Sequence, residues 1–178
     1  MKENNSINGN NQQVEKGAIL SACSQYRYQL WRKWDPAKPN VVFIMLNPST
    51  ADADNDDPTI RRCIGFAKDW RYGSLTVVNL FAFRATRPED LLKAEDPIGQ
   101  ENLEWIARAT EKASTIVCAW GNGKLINRLL RTRSTYQPLR HINSPLCYLE
   151  LSQDGTPKHP LYLIRTLKPK PYEIKILF

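Results

Sequence analysis

The amino-acid sequence predicts an α/β fold, specifically a three-layer α/β/α sandwich around a mainly parallel central sheet. Continuous apolar runs of strand length, such as residues 41–46 and 115–119, show no polar alternation and therefore indicate strands buried on both faces. These runs alternate along the chain with segments whose apolar residues recur at helical spacing. Such an order favours right-handed crossovers and a parallel sheet that is covered on both sides.

Turn and capping residues mark where the individual elements begin and end. Asp35-Pro36 stops the first strand, and Asp57-Pro58 supplies an N-cap followed by proline at the first helical position. The predicted elements are, in chain order, an edge strand or hairpin over residues 26–34, a strand over 41–46, a helix from 58 to the turn at 73, a strand over 75–80, a helix over 97–113, a strand over 115–119, a short helix over 125–130 and a strand over 146–151.

The length of 178 residues fits one compact domain, since a chain of this size buries enough surface to fold without a disulfide or a metal. Residues 1–16 are polar and rich in Asn and Gln, so we predict a flexible tail there and a single domain over residues 17–178. The chain has no apolar segment long enough to span a membrane, and its N-terminus lacks the apolar core of a signal peptide. These observations predict a cytoplasmic protein without a membrane partner.

No pattern in the sequence predicts a cofactor or a metal ion. The four cysteines lie far apart and none belongs to a C-x-x-C pair, which favours buried free thiols over a zinc site. Neither a G-x-G-x-x-G segment nor a Walker-type lysine loop is present. We therefore expect no cofactor and no metal, and no obligatory protein partner is evident.

The net charge of +7 is concentrated in the last third of the chain. Residues 1–123 contain 15 basic and 15 acidic side chains, whereas residues 124–178 contain ten basic and three acidic ones. A basic surface of this kind suits a polyanion, because each phosphate that is neutralised releases condensed counterions. The alternative is a solvated basic surface that binds no partner.

Polar side chains follow the predicted strands at their carboxyl ends, where ligands bind in open parallel sheets. Asn47 comes directly after the first buried strand, Asn79 ends the next, Trp120 follows the third, and His159 lies beyond the fourth. Asparagine is a poor strand residue, and its amide can both donate to and accept from the edge of a nucleobase. A turn or helix cap is the alternative, and it explains Asn47 more easily than Asn79.

Four segments in this order resemble motifs of the uracil-DNA glycosylase superfamily: LNPST (46–50), VVNLFAFR (77–84), CAWG (118–121) and HPLYL (159–163). The chain is also similar to an uncharacterised bacterial family of unknown function with the same LNPS and HPLYL segments. The resemblance covers residues 26–165. It implies a uracil-DNA glycosylase-like fold and a monofunctional DNA glycosylase, a hydrolase that cleaves the N-glycosidic bond of a pyrimidine flipped out of a DNA duplex.

The resemblance implies a role for each matching residue. Asn47 would position a water, Asn79 would read the edge of the flipped base, and His159 would stabilise the charge that develops on the departing base. An aromatic ring would stack on the base, and the HPLYL segment would lie in a loop that wedges into the duplex. The candidate residues are Asn47 and His159 for catalysis; Asn79, Ser49, Phe81 and Trp120 for base binding, with Tyr162 a third candidate for stacking; and Lys158, Tyr162, Leu163, Arg165 and Lys168 for DNA binding.

Departures from the superfamily pattern bear on the substrate and the mechanism. Ser49 replaces the tyrosine that excludes 5-substituted pyrimidines in the archetypal uracil enzyme, so we expect a damaged, mismatched or 5-modified base, hypermodified phage cytosine included. The role would be DNA repair or antiviral defence. The amide of Asn47 does not ionise and can only orient water. The acidic residues of the next loop would either supply negative charge or cap the following helix; they are Asp52, Asp54, Asp56 and Asp57.

Two other functions are compatible with the same crevice. A nucleotide- or nucleoside-processing enzyme would use it for a free substrate, although the basic last third would then have no function. A catalytically silent DNA-binding module would keep the fold without the chemistry, which the absence of a carboxylate at Asn47 makes credible. Duplex binding weakens steeply with added salt, so salt dependence separates the DNA-binding functions from the nucleoside enzyme.

Overall fold

A computed structural model of the protein describes residues 14–49, 51–133, 135–140 and 142–173. Most of the predicted polar tail, residues 1–13, lies outside the described residues. The predicted boundary of the tail at residue 16 is wrong, because strand β1 (Glu15–Leu20) already includes Glu15 and Lys16, which pair with the neighbouring strand.

The described residues form seven strands and three α-helices in an α/β arrangement. None of these helices is both long and apolar enough to cross a membrane. Two 3-10 helices, Pro88–Leu92 and Pro160–Tyr162, lie in the loops. The remaining elements are, in chain order, β2 (Arg27–Lys33), β3 (Asn40–Met45), α1 (Pro58–Asp69), β4 (Ser74–Asn79), α2 (Asn102–Glu111), β5 (Thr115–Cys118), α3 (Gly123–Arg131), β6 (Leu146–Tyr148) and β7 (Lys170–Pro171).

All seven strands belong to one sheet with the order β1-β2-β4-β3-β5-β6-β7. The four inner strands, β4, β3, β5 and β6, run parallel, as expected for strands joined by helical crossovers. The outer strands β1, β2 and β7 add antiparallel pairs, so the sheet is mixed rather than mainly parallel. The strand predicted at the edge over residues 26–34 is β2, which is internal because β1 pairs with its outer side.

Apolar side chains fill both faces of the inner strands. On one face, Val42 and Ile44 of β3 belong to a core cluster that includes residues of α2 and α3. On the other face, Val41, Phe43 and Met45 pack in a second cluster that includes residues of α1. The alternation of these neighbours along one strand explains the continuous apolar run in the sequence, because each face of the sheet is covered by a helix.

Helix α2 begins five residues later than the sequence predicts. The Asp96 carboxylate accepts hydrogen bonds from the backbone N–H groups of Ile98 and Gly99, which fixes a turn before the helix. Gly99 has a φ of +86°, a conformation that ends any continuous helix at that point. The aspartate therefore stabilises a loop where the apolar spacing alone suggests a first helical turn.

Candidate functional site

Loops at the carboxyl ends of β3 and β5 enclose a hollow of about 280 Å³, here named the central hollow. Asn47 and Ser49 reach it from the loop after β3, Trp120 follows β5, and His159 precedes the 3-10 helix Pro160–Tyr162. The other residues that line it are Met45, Leu46, Thr59, Ala85, Thr86, Pro88, Gly121 and Asn122. Four of the predicted site residues therefore meet at the edge of the sheet where ligands bind in folds of this class.

The side chain of Asn47 is held in one orientation. Its amide nitrogen Nδ2 donates to the carbonyl oxygen of Ala85 at 2.8 Å and to that of Pro48 at 2.9 Å. A carbonyl oxygen can only accept, so these two partners fix which atom of the amide is the nitrogen. The oxygen Oδ1 receives no hydrogen bond from the described residues, and it is left to accept one from a water or a ligand in the central hollow.

Two buried arginines of β2 hold the loop between β3 and α1. Arg27 donates from Nη1 to the carbonyl oxygen of Ala51, and Arg32 donates from Nη2 to that of Asp52 at 2.8 Å. The Nε of Arg32 also binds the Asp56 carboxylate at 2.9 Å. Burial lowers the pKa of Arg27 to about 10, so this guanidinium remains charged at neutral pH. Two buried guanidinium groups of β2 therefore hold this loop in place.

The first turns of two helices border the central hollow. Asp57 caps α1 by accepting a hydrogen bond of 2.8 Å from the N–H of Ile60, and Thr59 in the same turn lines the hollow. Asn122 caps α3 by accepting one of 3.3 Å from the N–H of Leu125. The Thr59 hydroxyl and the Asn122 amide thus belong to residues that line the hollow, although no sequence motif indicated a role for either.

One hydrogen bond favours a single tautomer of the His159 imidazole. Its Nδ1 accepts a hydrogen bond of 3.4 Å from the backbone N–H of Leu161. An accepting nitrogen carries no proton, so the proton of the neutral ring is on Nε2, which is then a donor. Burial lowers the pKa of His159, and the charge of nearby Asp57 raises it by a smaller amount. The side chain is therefore neutral at pH 7 and presents an N–H donor.

Gly121 allows His159 to lie directly against the end of β5. A Cβ atom at this position would be 3.1 Å from the Cβ of His159 and 3.4 Å from its backbone nitrogen. Gly121 also has a φ of +60°, which favours glycine, and its N–H donates to the carbonyl oxygen of Pro157 at 2.9 Å. The close approach and the hydrogen bond together fix the position of the histidine relative to the sheet.

A second hollow of about 440 Å³, here named the outer hollow, adjoins the first and shares Gly121, Asn122 and His159 with it. Tyr162 and Ile164 stand at its boundary and expose 89% and 65% of their surface. Leu163, between them, is 6% exposed and packs in the core cluster on the α1 side. Tyr162 of the predicted wedge therefore points outward. The prediction that Leu163 contacts DNA is wrong, because its side chain is buried and anchors the loop.

Two of the predicted base-binding residues do not line the central hollow. Asn79 is 1% exposed, and its side-chain nitrogen has no hydrogen-bond partner among the described residues. Phe81 is fully buried and packs against Tyr136, with 5.7 Å between the ring centroids. Trp120 does line the hollow, although only 1% of its surface is exposed. A base in the hollow would therefore meet neither Asn79 nor Phe81 in this conformation.

Two of the three basic residues that we predict to contact DNA form ion pairs with carboxylates. Lys158 forms an ion pair with Glu150. Arg165 binds Asp69 with Nε and Nη2, the latter at 2.8 Å. Lys168 is exposed and takes part in no ion pair within the described ranges. Each ion pair holds its own segment in place. The carboxylate also neutralises most of the charge of its basic partner at short range.

The acidic residues of the loop after β3 have structural partners. Asp54 pairs with Lys16, Asp56 pairs with Arg32, and Asp57 caps α1. Backbone hydrogen bonds from Asn55 and Asp54 lower the pKa of Asp52, which is therefore ionised as a turn-forming carboxylate. None of the four lines the central hollow. The capping alternative thus holds for Asp57, whereas the other three carboxylates stabilise the loop itself.

In the part of the chain that the structure describes, no three His, Cys, Asp or Glu side chains lie close enough together to hold a metal ion. The four cysteines are free. Cys63 and Cys118 are buried and Cys147 is half-buried, in line with the expected buried thiols. Cys23 is exposed, which corrects that expectation for one of the four.

One protein family matches most of the chain. Its description is "Protein of unknown function (DUF1643)", and the match covers residues 27–161. The chain belongs to the DUF1643 family. The matched range contains β2 to β6, Asn47, Trp120 and His159, and it ends inside the 3-10 helix that follows the histidine. No curated protein and no solved structure matches the sequence.

Proposed function

We propose that this DUF1643 protein is a monofunctional DNA glycosylase with a uracil-DNA glycosylase-like α/β/α sandwich, which hydrolyses the N-glycosidic bond of a pyrimidine flipped out of a duplex. The observation that supports this best is the shared position of Asn47 and neutral His159 at one hollow. One side chain offers a hydrogen-bond acceptor and the other a donor. Hydrolysis of a glycosidic bond uses both, because it consumes a water and releases an anionic leaving group.

The chemistry divides between these two residues. As the bond between the sugar C1′ and the base nitrogen lengthens, positive charge grows on the sugar and the bonding electrons move to the base. The His159 Nε2–H donates to an oxygen of the base and stabilises its negative charge, an effect worth about 3 kcal/mol for one donor in other oxyanion sites. Asn47 Oδ1 accepts a hydrogen bond from a water, whose oxygen bonds to C1′ while the base takes up a proton. An abasic site and a free base remain, and neither a metal nor a cofactor enters the reaction.

The size of the central hollow and the short side chain of Ser49 favour a single pyrimidine with a 5-substituent. Small-molecule pockets have volumes of about 300–1,000 Å³, so the 280 Å³ hollow is suited to one base rather than to a larger ligand. Ser49, Thr59 and Asn122 line it and carry polar groups able to contact the edge of the base. Excision of a damaged, mismatched or 5-modified base would serve DNA repair or antiviral defence.

The segment after His159 is suited to hold the duplex open while the base is flipped out. Tyr162 and Ile164 project from a segment that is fastened to α1, since Arg62 donates to the carbonyl oxygen of Leu163. Trp70 donates from Nε1 to the carbonyl oxygen of Leu167 at 2.9 Å. Apolar side chains inserted between base steps unstack them, which costs a few kcal/mol that protein contacts offset. A rigid loop with two exposed apolar side chains fits that use.

A catalytically silent DNA-binding module of the same fold is the second candidate. The burial of Asn79 favours it, because the hollow then lacks the amide that the resemblance assigns to reading the base. The amide at Asn47 favours it as well, since it cannot act as a general base. Binding of an altered duplex without release of the base would identify the module.

We place the protein in the cytoplasm. Its four cysteines are all free, which is typical of proteins from a reducing compartment. Duplex DNA in the same compartment would be its partner. No protein partner is needed for the proposed hydrolysis, because both assigned side chains come from one chain.

The experiment that tests the proposal incubates the protein with duplexes that each carry one altered base. The panel contains uracil, thymine opposite guanine, 5-hydroxymethylcytosine and glucosylated 5-hydroxymethylcytosine. Abasic sites are converted to strand breaks with alkali and counted. We expect breaks at one or more of the 5-substituted bases. Breaks at uracil alone contradict the assignment of Ser49, and tight binding without breaks at any base supports the silent module.

A further inference from the structure

The outward face of α3 carries a row of cations. Lys124, Arg128 and Arg131 are four and three residues apart, so they lie on one side of the helix, and all three are exposed. Nine residues form α3, and none of them is acidic. We name these three side chains the α3 stripe. Its members take part in no ion pair within the part of the chain that the structure describes.

Helical stability explains only part of the stripe. Like charges three or four residues apart repel each other and destabilise a helix. Lys124 is in the first turn, where the positive end of the helix dipole disfavours a cation, whereas Arg128 and Arg131 are in the last turn, where the negative end favours one. Elsewhere on the surface, Lys158 and Arg165 have carboxylate partners. The stripe thus keeps three exposed charges of one sign together despite their mutual repulsion, with Lys124 at the helix end that disfavours a cation, which indicates an anionic partner outside the chain.

The α3 stripe starts at the proposed active site. Asn122, the N-cap of α3, lines both hollows, and Lys124 follows it by two residues. Lys124 and Arg131 are seven positions apart, a distance of about 10 Å along the helix axis. One strand of B-DNA places a phosphate about every 3.4 Å along its axis, so a row of this length faces about three phosphates.

We propose that the α3 stripe binds the phosphate backbone of duplex DNA beside the flipped nucleotide. The identity of the polyanion rests on the proposed function. The stripe takes the place of Lys158 and Arg165, whose charges are paired. Three unpaired cations on a helix that begins at the hollow hold one strand in register, while Tyr162 and Ile164, at the outer hollow, contact the opened base step.

Binding to an undamaged duplex tests this inference without any excision. The stripe variant is K124Q/R128Q/R131Q. Its matched control is K33Q/K38Q/R108Q, which removes the same charge from three exposed side chains that each pair with a carboxylate. Fluorescence anisotropy of a labelled duplex gives the dissociation constant between about 50 and 200 mM salt. A thermal melt checks that both variants are folded at the temperature of the binding measurement.

We expect the slope of log K against log salt to become shallower by about 2.7 in the stripe variant, since each lost phosphate contact removes about 0.9. The control keeps the wild-type slope within about one contact. An unchanged slope in the stripe variant overturns the inference. Binding to vesicles of anionic lipid is measured in parallel, and a stripe variant that loses vesicle binding but binds the duplex like the wild type also overturns it. A shallower slope in a protein that excises none of the tested bases retains the inference and removes the proposed enzymatic function.

Discussion

The side-chain nitrogen of Asn47 donates a hydrogen bond of 2.8 Å to the carbonyl oxygen of Ala85, and this contact joins the loops that follow β3 and β4. The same nitrogen donates to the carbonyl oxygen of Pro48 at 2.9 Å. Both bonds need an amide, because a carboxylate has no N–H to donate. These contacts therefore require asparagine rather than aspartate at position 47. Its Oδ1 is an uncharged hydrogen-bond acceptor at the central hollow.

Replacing Asn47 with aspartate removes both hydrogen bonds and sets a carboxylate oxygen against two carbonyl oxygens. We expect the Asn47→Asp protein to lose about 2 kcal/mol of unfolding free energy, since one such bond contributes about 1 kcal/mol. Excision does not become faster, because the loop no longer holds the oxygen in place. Urea denaturation measures the stability, with Asn143→Asp, an exposed asparagine, as the control. A variant as stable as the wild type with faster excision contradicts this account of Asn47.

The lowered pKa of His159 predicts a pH dependence of stability. In the unfolded chain the imidazole takes up a proton near pH 6.5, whereas burial makes protonation harder in the folded protein. The unfolded state therefore binds more protons, and the contribution is fully present above about pH 6.5 and is lost as the pH falls below it. We expect the unfolding free energy to fall less steeply between pH 6.5 and 5 in His159→Gln than in the wild type. Parallel curves for the two proteins contradict the buried neutral imidazole.

Gly121 is predicted to tolerate no side chain. Alanine would adopt a left-handed φ and place its Cβ 3.1 Å from that of His159. We expect Gly121→Ala to lower the unfolding free energy by about 1–3 kcal/mol and to slow excision, because the histidine is displaced. Gly65→Ala is the matched control: no atom lies within 4 Å of its added Cβ, and alanine favours a helix. Equal stabilities and rates in Gly121→Ala and wild type would refute the role of this close approach.

The buried guanidinium of Arg32 should matter more than an exposed cation beside it. Its ion pair with Asp56 and its bond to the carbonyl oxygen of Asp52 fasten the loop that carries Asn47. We expect Arg32→Met to cost about 3 kcal/mol of unfolding free energy, as the loss of one partner of a buried pair does. Lys33→Met removes an exposed pair and should cost less than about 1 kcal/mol. Similar losses in the two variants would show that the loop does not depend on Arg32.

The features that the sequence predicted well are those with local signals. The dipeptide Asp57-Pro58 predicts the N-cap of α1, and the apolar run over residues 41–46 predicts a strand covered on both faces. The placement of Asn47 and His159 at one edge follows from the order of strands and helices, because parallel strands end on the same side. These inferences need no knowledge of which distant residues touch.

Features that depend on distant contacts were not predictable. Whether Asn79 faces a hollow or the core depends on its register beside Met45, and Phe81 packs against Tyr136, which is far away in the sequence. The ion pair of Arg165 with Asp69 likewise joins residues about a hundred positions apart. Strand β1 was missed because its sequence, EKGAIL, has no alternation of apolar and polar residues and both of its ends are exposed, so only pairing with β2 reveals it.

The most direct test of the central claim measures single-turnover excision and duplex binding in the same two variants, Asn47→Ala and His159→Ala. The substrate is the altered duplex that the wild type cleaves fastest. We predict that each substitution lowers the rate constant about 100-fold or more, because His159→Ala removes the donor to the departing base and Asn47→Ala removes the acceptor that positions the water. The dissociation constant changes less than about threefold. Lys38→Gln, an exposed residue far from the hollow, should keep the wild-type rate. A wild-type rate in either alanine variant contradicts the claim that Asn47 and His159 act together on one base.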